Sequence, residues 1–275
     1  MSTITLAPAQ SLAARQPVTG RIAAAFCDTI DVAGRNLRTL FRTPQALIFA
    51  TIQPIIFVLL FRYAFGGAIR VPGVAYVDYL MPGVFAQTVV FGSMQTGIAL
   101  AEDLQKGLIE RFQSLPMARS AVLAGRTLAD LVRNVFVILI MVAVGFAVGW
   151  RIHTSVFQLI IGLLVMLLFA HSLSWIFAIV GLNASNAEAA QAISFPILAP
   201  LVFASTAFVS ADQMPSALKW FAEHQPVSVA VDAVRSLTLG GPFHDPGKVL
   251  ASVIWSVAIV AVCAPLAVRV YRRKV

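Results

Sequence analysis

The sequence predicts an all-α polytopic membrane protein with six transmembrane helices, and three observations predict it. Of the 275 residues, 59% are hydrophobic and only 12% are charged, whereas soluble domains carry about 25% charged residues. The apolar residues cluster into runs of about 20, the length that crosses a bilayer as a helix. The basic residues flank these runs, as in proteins whose loops set membrane topology.

Six apolar segments qualify as membrane spans. Their approximate bounds are 45–66, 77–100, 128–149, 154–182, 189–210 and 249–270. Residues 1–20 lack a continuous apolar core, so we expect a disordered cytosolic tail and not a cleaved signal peptide. Residues 44–275 are then the membrane domain.

The distribution of Lys and Arg predicts that both termini are cytosolic. With that orientation, most of the 20 basic residues fall in cytosolic segments, as the positive-inside rule requires. The six that fall outside are Arg62, Arg70, Arg151, Lys219, Arg235 and Lys248. The basic residues therefore indicate contact with anionic lipid, and no pattern typical of a nucleic-acid partner is present.

Segment 21–43 is predicted to be an amphipathic helix on the cytosolic membrane surface. Its apolar stripe, at spacings of three and four residues, consists of Ile22, Phe26, Ile30, Ala33, Leu37 and Leu40. Arg35, Arg38 and Arg42 fall on a basic face, and Pro44 favours a break before the first span. The periodicity fits a passive anchor and a surface for a cytosolic partner equally well.

The cytosolic loop 102–126 predicts a short, stiff amphipathic helix that ends at Pro116. Its apolar stripe is Leu104, Leu108, Phe112 and Leu115. Glu102, Lys106 and Glu110 follow at four-residue steps and can pair on the polar face. Glu102 and Asp103 are expected at the helix start, where the dipole favours acids. A stiff rod can transmit a push, although the charges alone also fit a solvated face.

The outside segment 211–247 predicts two helices too short to span, over 216–223 and 227–239. Asp212 is a candidate cap for the first of them. Gly240 and Gly241 are expected to end the second. Such a pair fits either a lid over an exit path or a structural collar.

The chain carries no phosphate-binding loop of the G-x-x-x-x-G-K-[ST] type, so we expect it not to hydrolyse ATP itself and to hold no cofactor. No acid–His or Ser–His spacing predicts a catalytic residue. The two cysteines, Cys27 and Cys263, form no metal framework. The chain is thus expected not to be an enzyme.

Few carboxylates lie at the span centres, although an ion-coupled pump normally needs them. This pattern favours a hydrophobic or amphipathic cargo. Four residues of the first two spans are candidates to line its path, although ordinary packing explains each of them too. They are Phe57, Phe85, Phe91 and Met94.

Two stretches resemble a known family. QKGLIERFQSLPMARSAVLAGR, the loop at 105–126, resembles the signature of type-2 ABC exporter permeases. Within these it is similar to the daunorubicin/doxorubicin-resistance permeases and their mycobacterial lipid-export relatives. HQPVSVAVDAVRSLTLGG, at 224–241, is similar to that family's pattern before the last span. The resemblance covers the chain from about residue 22 onward.

The resemblance implies an ABC exporter permease in the bacterial cytoplasmic membrane, with 44–275 as its type-2 transmembrane domain. It implies that 21–43 is the interface helix, that about 102–116 is the coupling helix, and that the short outer helices are re-entrant. The implied coupling residues are Glu102, Asp103, Lys106, Leu108, Glu110, Arg111, Phe112 and Leu115. The implied assembly is two permease chains, identical or homologous, and two nucleotide-binding ATPase chains that bind ATP and Mg.

Three alternatives remain open at this point. An ion-coupled secondary multidrug transporter would work without ATP. A membrane enzyme acting on lipids would need no nucleotide. An ABC exporter of polysaccharide or glycolipid would share the whole architecture and differ only in cargo.

Overall fold

The computed structural model describes residues 18–42, 44–67, 69, 71–107 and 119–274. Within these ranges the regular structure is helical and no β-strand occurs. The α-helices there are α1 (Val18–Arg42), α2 (Pro44–Leu60), α3 (Tyr76–Gln105), α4 (Arg119–Ala147), α5 (Val156–Asn183), α6 (Ala187–Phe203), α7 (Ser216–His224), α8 (Pro226–Thr238) and α9 (Pro246–Lys274). A π-helical turn, Phe61–Phe65, extends α2.

Four of the described helices are long and apolar enough to cross a membrane. They are α3, the Ala121–Ala147 part of α4, α5 and α9. Two further apolar helices are shorter, one over Ala50–Ala64 and the other α6. The six predicted spans therefore correspond to four long apolar helices and two shorter ones.

The fifth apolar helix, α6, is shorter than its apolar run suggested, since it ends at Phe203 and not near residue 210. The chain beyond it is bound by α8. The backbone N–H of Thr206 donates to Ser228 Oγ at 3.0 Å, and the carbonyl of Ala207 accepts from Arg235 at 2.9 Å. These bonds replace the ones that a continued helix would make.

Helix α3 lies at the centre of the bundle, and residues 76–90 are all buried. It approaches α5 through a glycine pair. A Cβ on Gly181 would collide with the backbone carbonyl of Gly97, and a Cβ on Gly97 would collide with that of Phe177. Small residues let membrane helices pack backbone to backbone, so this pair sets the α3–α5 distance.

One end of the bundle, which we call the α1 end, is built where α1 crosses α4. The backbone of Gly125 lies so close to α1 that an added Cβ would be 2.7 Å from the carbonyl oxygen of Thr29 and from Cβ of Val32. Nearby, an apolar cluster joins α3, α4, α5 and α9. Its members include Leu100, Leu123, Leu182 and Tyr271.

The opposite end, the α8 end, is held by the helix pair α7–α8. Helix α8 is almost entirely buried. Thr154 Oγ1 donates to the carbonyl of Leu237 at 2.6 Å. Phe61 and Phe208 stack with centroids 4.7 Å apart. The start of α5 is thereby tied to α8, and the π turn after α2 is tied to the turn that follows α6.

The outer segment differs from the prediction at Asp212, which does not cap α7. It lies in a 3-10 turn, Ala211–Gln213, and α7 begins after Pro215 with no side-chain cap. Asp212 instead accepts from Lys219 Nζ at 2.6 Å. This hydrogen bond lowers the pKa of Asp212 and raises the pKa of Lys219. Helix α8 ends before Gly240, as predicted, and Gly240 has a φ of 62°.

Candidate functional site

Glu102 and Asp103 lie in the last turn of α3, and not at the start of a separate helix as predicted. The helix ends at Gln105, and Gly107 follows with a φ of 64°, a conformation that favours glycine. The C-terminal end of a helix disfavours acids, so each carboxylate takes a basic partner.

The partner of Glu102 is Lys106, whose Nζ lies 2.6 Å from Glu102 Oε1. The same hydrogen bond raises the pKa of Lys106. Both side chains are largely exposed, so the pair is available at the surface of the α1 end. The other predicted coupling residues, Leu108, Glu110, Arg111, Phe112 and Leu115, lie outside the described residues.

A row of four charges joins α3 to α4 beside that loop, and we call it the charge ladder. Its members are Asp103, Arg126, Asp130 and Arg133. Arg126 Nη1 lies 3.1 Å from Asp103 Oδ2 and its Nε lies 3.9 Å from Asp130 Oδ2. Arg133 Nη1 lies 3.0 Å from Asp130 Oδ1, a contact that their i,i+3 spacing on one helix allows.

Two further hydrogen bonds fix the charge ladder to α3. Thr96 Oγ1 donates to Asp130 Oδ2 at 2.6 Å, and Arg133 Nη2 donates to the carbonyl of Gly92 at 2.5 Å. The sequence interpretation missed the role of Arg126. Its spacing of four residues from Asp130 and seven from Arg133 places all three on one helix face, and that signal could have identified it.

The three basic residues predicted on the interface helix, Arg35, Arg38 and Arg42, are all exposed on α1. The buried strip of α1 includes Ala33 of the predicted stripe but otherwise differs from it. Val32 and Ala33 are buried, whereas Phe26 is 65% exposed and Ile30 48%. Helix α1 thus presents apolar and basic side chains together on its free surface, as a helix in the headgroup layer does.

A cavity of about 400 Å³ lies between α2, α3 and α4, in the half of the bundle toward the α1 end. We call it the polar cavity. It is lined by Ala50, Gln53, Pro54, Gln87, Thr88, Phe91, Gly92, Gln95, Ala99, Arg126, Arg133, Asn134 and Val137. The sequence interpretation named only Phe91 among these residues. The polar members were missed because they are spread over three helices.

The other three residues proposed for a cargo path lie elsewhere. Phe57 stacks with Phe61 at 6.1 Å between centroids. Phe85 packs edge-on against Trp150 at 5.4 Å, and Met94 is buried in the main core. The structure therefore does not bring the four candidates together on one surface.

A second cavity, of about 730 Å³, opens at the α8 end between α8 and α9. Arg235 lies in its wall and is only 2% exposed. Its guanidinium lies 3.4 Å over the Tyr79 ring, donates to the carbonyls of Tyr79 and Ala207, and pairs with Asp232 at 3.1 Å. The sequence interpretation counted Arg235 only as an outside charge and missed this role.

Among the described residues, no group of three or more His, Cys, Asp or Glu side chains could hold a metal ion. His171, inside α5, accepts a hydrogen bond from Trp175 Nε1 at 3.2 Å. The described sites hold charged and hydrogen-bonding groups around cavities. Such an arrangement suits the binding of a ligand and the movement of the helices that surround it.

The bundle of long apolar helices, with its two cavities, defines a multi-pass helical membrane protein. The chain belongs to the ABC-2 type transporter family, whose model matches residues 31–239. It is 36% identical over 253 residues to the daunorubicin resistance ABC transporter permease protein DrrB1 of Streptomyces coeruleorubidus, covering 92% of this chain and 88% of that one. It is 28% identical over 239 residues to the doxorubicin resistance ABC transporter permease protein DrrB of Mycobacterium tuberculosis H37Rv, covering 82% and 81%.

These matches confirm the resemblance that the loop at 105–126 indicated. The chain is a membrane ABC transporter permease with relatives in drug resistance. Since the matched region contains α2, α3 and α4, the charge ladder and the polar cavity lie within the part that defines the family. The second cavity extends beyond that part, because its wall includes residues of α9.

Proposed function

We propose that this chain is the membrane subunit of an ATP-driven exporter that moves a hydrophobic or amphipathic drug, antibiotic or lipid out across the bacterial cytoplasmic membrane. Its relatives named for daunorubicin and doxorubicin resistance support a drug cargo. The observation that carries the proposal is the charge ladder, because it joins the two long apolar helices that flank the predicted coupling loop and lies beside a cavity.

The energy would come from a separate ATPase chain that binds ATP and Mg. In this proposal the segment at about 102–116 rests on that chain and receives its movement. Asp103 is paired with Arg126 across the loop, and α1 packs against α4 at Gly125. A push on the loop would therefore move the cytosolic parts of α1, α3 and α4 together and change the polar cavity between them.

The proposed topology has six spans with both termini in the cytosol. Helix α2 with its π turn runs from residue 44 to 65, and about 20 helical residues suffice for a bilayer. Helix α6 is shorter. In this topology the re-entrant pair α7–α8 fills the remaining thickness of the membrane on its outer side. The proposed working unit contains two permease chains and two ATPase chains.

Coupling is tested by reversing Glu110→Lys and Arg111→Glu together with Phe112→Ala. We expect ATP-driven daunorubicin uptake into inside-out vesicles to fall at least tenfold, with the amount of permease in the membrane unchanged. The reason is that the loop would lose its polar and apolar contacts to the ATPase chain.

The matched control exchanges an exposed ion pair on the proposed outer side, Asp212→Lys with Lys219→Asp, and is expected to leave uptake unchanged. Full uptake by the loop variant would contradict the coupling role. Uptake that persists without ATP and collapses with the proton gradient would favour an ion-coupled transporter.

A further inference from the structure

The polar cavity contains two buried polar atoms that the fold itself does not satisfy. Gln87 is 2% exposed and Asn134 is 3% exposed. Gln87 Oε1 and Asn134 Nδ2 have no hydrogen-bond partner among the described residues, and both side chains line the cavity. Leaving a buried donor and a buried acceptor unpaired is costly, and polar groups inside a membrane protein usually mark a pathway.

The charged groups of the cavity are already paired within the protein. Arg126 and Arg133 line it, but they bind Asp103 and Asp130 in the charge ladder. Two positive and two negative charges cancel there. The free hydrogen-bonding capacity of the cavity therefore resides in neutral amides, and not in a charge.

Those amides belong to three helices. Gln53 lies on α2, Gln87 and Gln95 on α3, and Asn134 on α4. Gln53 and Gln95 are exposed and mark the open side of the cavity, whereas Gln87 and Asn134 lie in its interior. An amide both donates and accepts, so it matches hydroxyl and carbonyl groups.

Most of the remaining lining is apolar. Pro54, Phe91 and Val137 contribute it, and the volume of about 400 Å³ lies in the range of about 300 to 1,000 Å³ typical for drug-sized ligands. A cavity with an aromatic wall and an amide interior suits an amphiphile that carries neutral oxygen groups on an apolar ring system.

We propose that the polar cavity is a binding subsite for the uncharged hydroxyl- or carbonyl-bearing part of the cargo, with Gln87 Oε1 accepting from it and Asn134 Nδ2 donating to it. This inference rests on the proposed export function. It places the subsite within one chain, between α2, α3 and α4, and directly beside the charge ladder. A movement of the coupling loop would then act on the bound cargo through α3 and α4.

The test replaces each unsatisfied amide by an apolar side chain of similar size, Gln87→Met and Asn134→Leu, in the full chain with its ATPase. Daunorubicin, which carries several hydroxyl and carbonyl groups, is the probe, and its binding is measured by fluorescence titration. We expect each variant to bind it about five- to tenfold more weakly, the equivalent of one lost hydrogen bond. The melting temperature should stay equal or rise, because an unpaired buried polar atom is removed.

Ser252→Ala is the matched control. Ser252 Oγ is also buried without a hydrogen-bond partner among the described residues, but it lies on α9, outside the polar cavity. We expect the same direction of change in melting temperature and no change in daunorubicin binding. A fall in binding equal to that of the cavity variants would overturn the proposal.

Gly92→Ala supplies a steric test that keeps every polar group. Its Cβ would lie 2.6 Å from Asn134 Oδ1, so the Asn134 amide must move. We expect weaker daunorubicin binding. Binding within twofold of the wild type for all three cavity variants would overturn the subsite.

The ester carbonyls of a phospholipid present the same neutral oxygen chemistry, and the experiment separates the two sources. Phospholipid that copurifies with each variant is quantified beside daunorubicin binding. A loss of bound phospholipid with unchanged daunorubicin binding would show a lipid site and overturn the cargo subsite. If the wild type showed no ATP-driven transport, that result would instead contradict the proposed export function. Daunorubicin binding would still report on the cavity.

Discussion

Arg235 shows how a single residue holds the α8 end of this molecule together. Its guanidinium is buried and donates to backbone carbonyls on two separate segments, at Tyr79 and Ala207. Asp232 supplies the balancing charge at 3.1 Å. The planar guanidinium of Arg, with its five N–H donors, fits such a site, whereas the ammonium of Lys does not. Arg235 therefore stabilises the contact of α8 with α3 and with the turn after α6.

Replacing this residue, as Arg235→Met, should lower the free energy of unfolding by about 3 kcal/mol, because two backbone carbonyls lose their donor and Asp232 loses its nearest cation. Thermal unfolding of the purified chain in detergent measures the change. Lys219→Met removes a partly exposed cation from α7, at the same end of the bundle, and should change stability by less than about 0.5 kcal/mol. Equal effects of the two substitutions would contradict this role.

At the level of elements, the α3–α5 contact depends on the absence of two side chains. Gly97 and Gly181 bring the two backbones together near the α1 end. Ser93 Oγ, one turn earlier on α3, donates to the carbonyl of Ala170 on α5 at 2.9 Å. Close packing and a hydrogen bond from a hydroxyl group hold the two helices together here, because lipid supplies no hydrophobic driving force between helices.

Gly181→Ala should destabilise the protein by about 1 to 3 kcal/mol, because the new Cβ overlaps backbone that cannot rotate away. The melting temperature in detergent is the measurement. Gly34→Ala is the matched control, since a Cβ there meets no atom within 4 Å. It should be neutral or stabilising by up to about 1 kcal/mol. A neutral Gly181→Ala variant would show that the two helices can separate at little cost.

At the level of the whole molecule, the charge distribution and the bundle lead to one proposed orientation. The α1 end holds the charge ladder and the exposed arginines of α1, and the α8 end holds the short helices. With the positive-inside rule, the α1 end faces the cytosol.

This orientation predicts the accessibility of single cysteines in a chain whose own Cys27 and Cys263 are replaced by Ala. Asp31→Cys, on the exposed face of α1, should react with a membrane-impermeant maleimide in inside-out vesicles and not in intact cells. Ser216→Cys, at the start of α7, should show the opposite pattern. Labelling of both positions from the same side would contradict the topology.

The fold class follows from the sequence because the bilayer restricts what a chain can do. Every backbone group inside it must be paired within the protein, so a long apolar run can only be a helix. The loop motif at 105–126 and the turn glycines at 240–241 are equally local signals. They predicted the family and the end of α8 without any tertiary information.

Helix ends, ion pairs between helices and cavities required the tertiary structure. The end of α6 depends on Ser228 and Arg235, which are more than twenty residues away in sequence. Glu102 and Asp103 belong to α3 because their partners compensate an unfavourable helix end. The polar cavity joins residues of three helices, and hydrophobic periodicity reports which face of one helix is apolar but not what packs against it. The sequence thus determined a helical membrane permease, and packing alone decided where its polar groups meet.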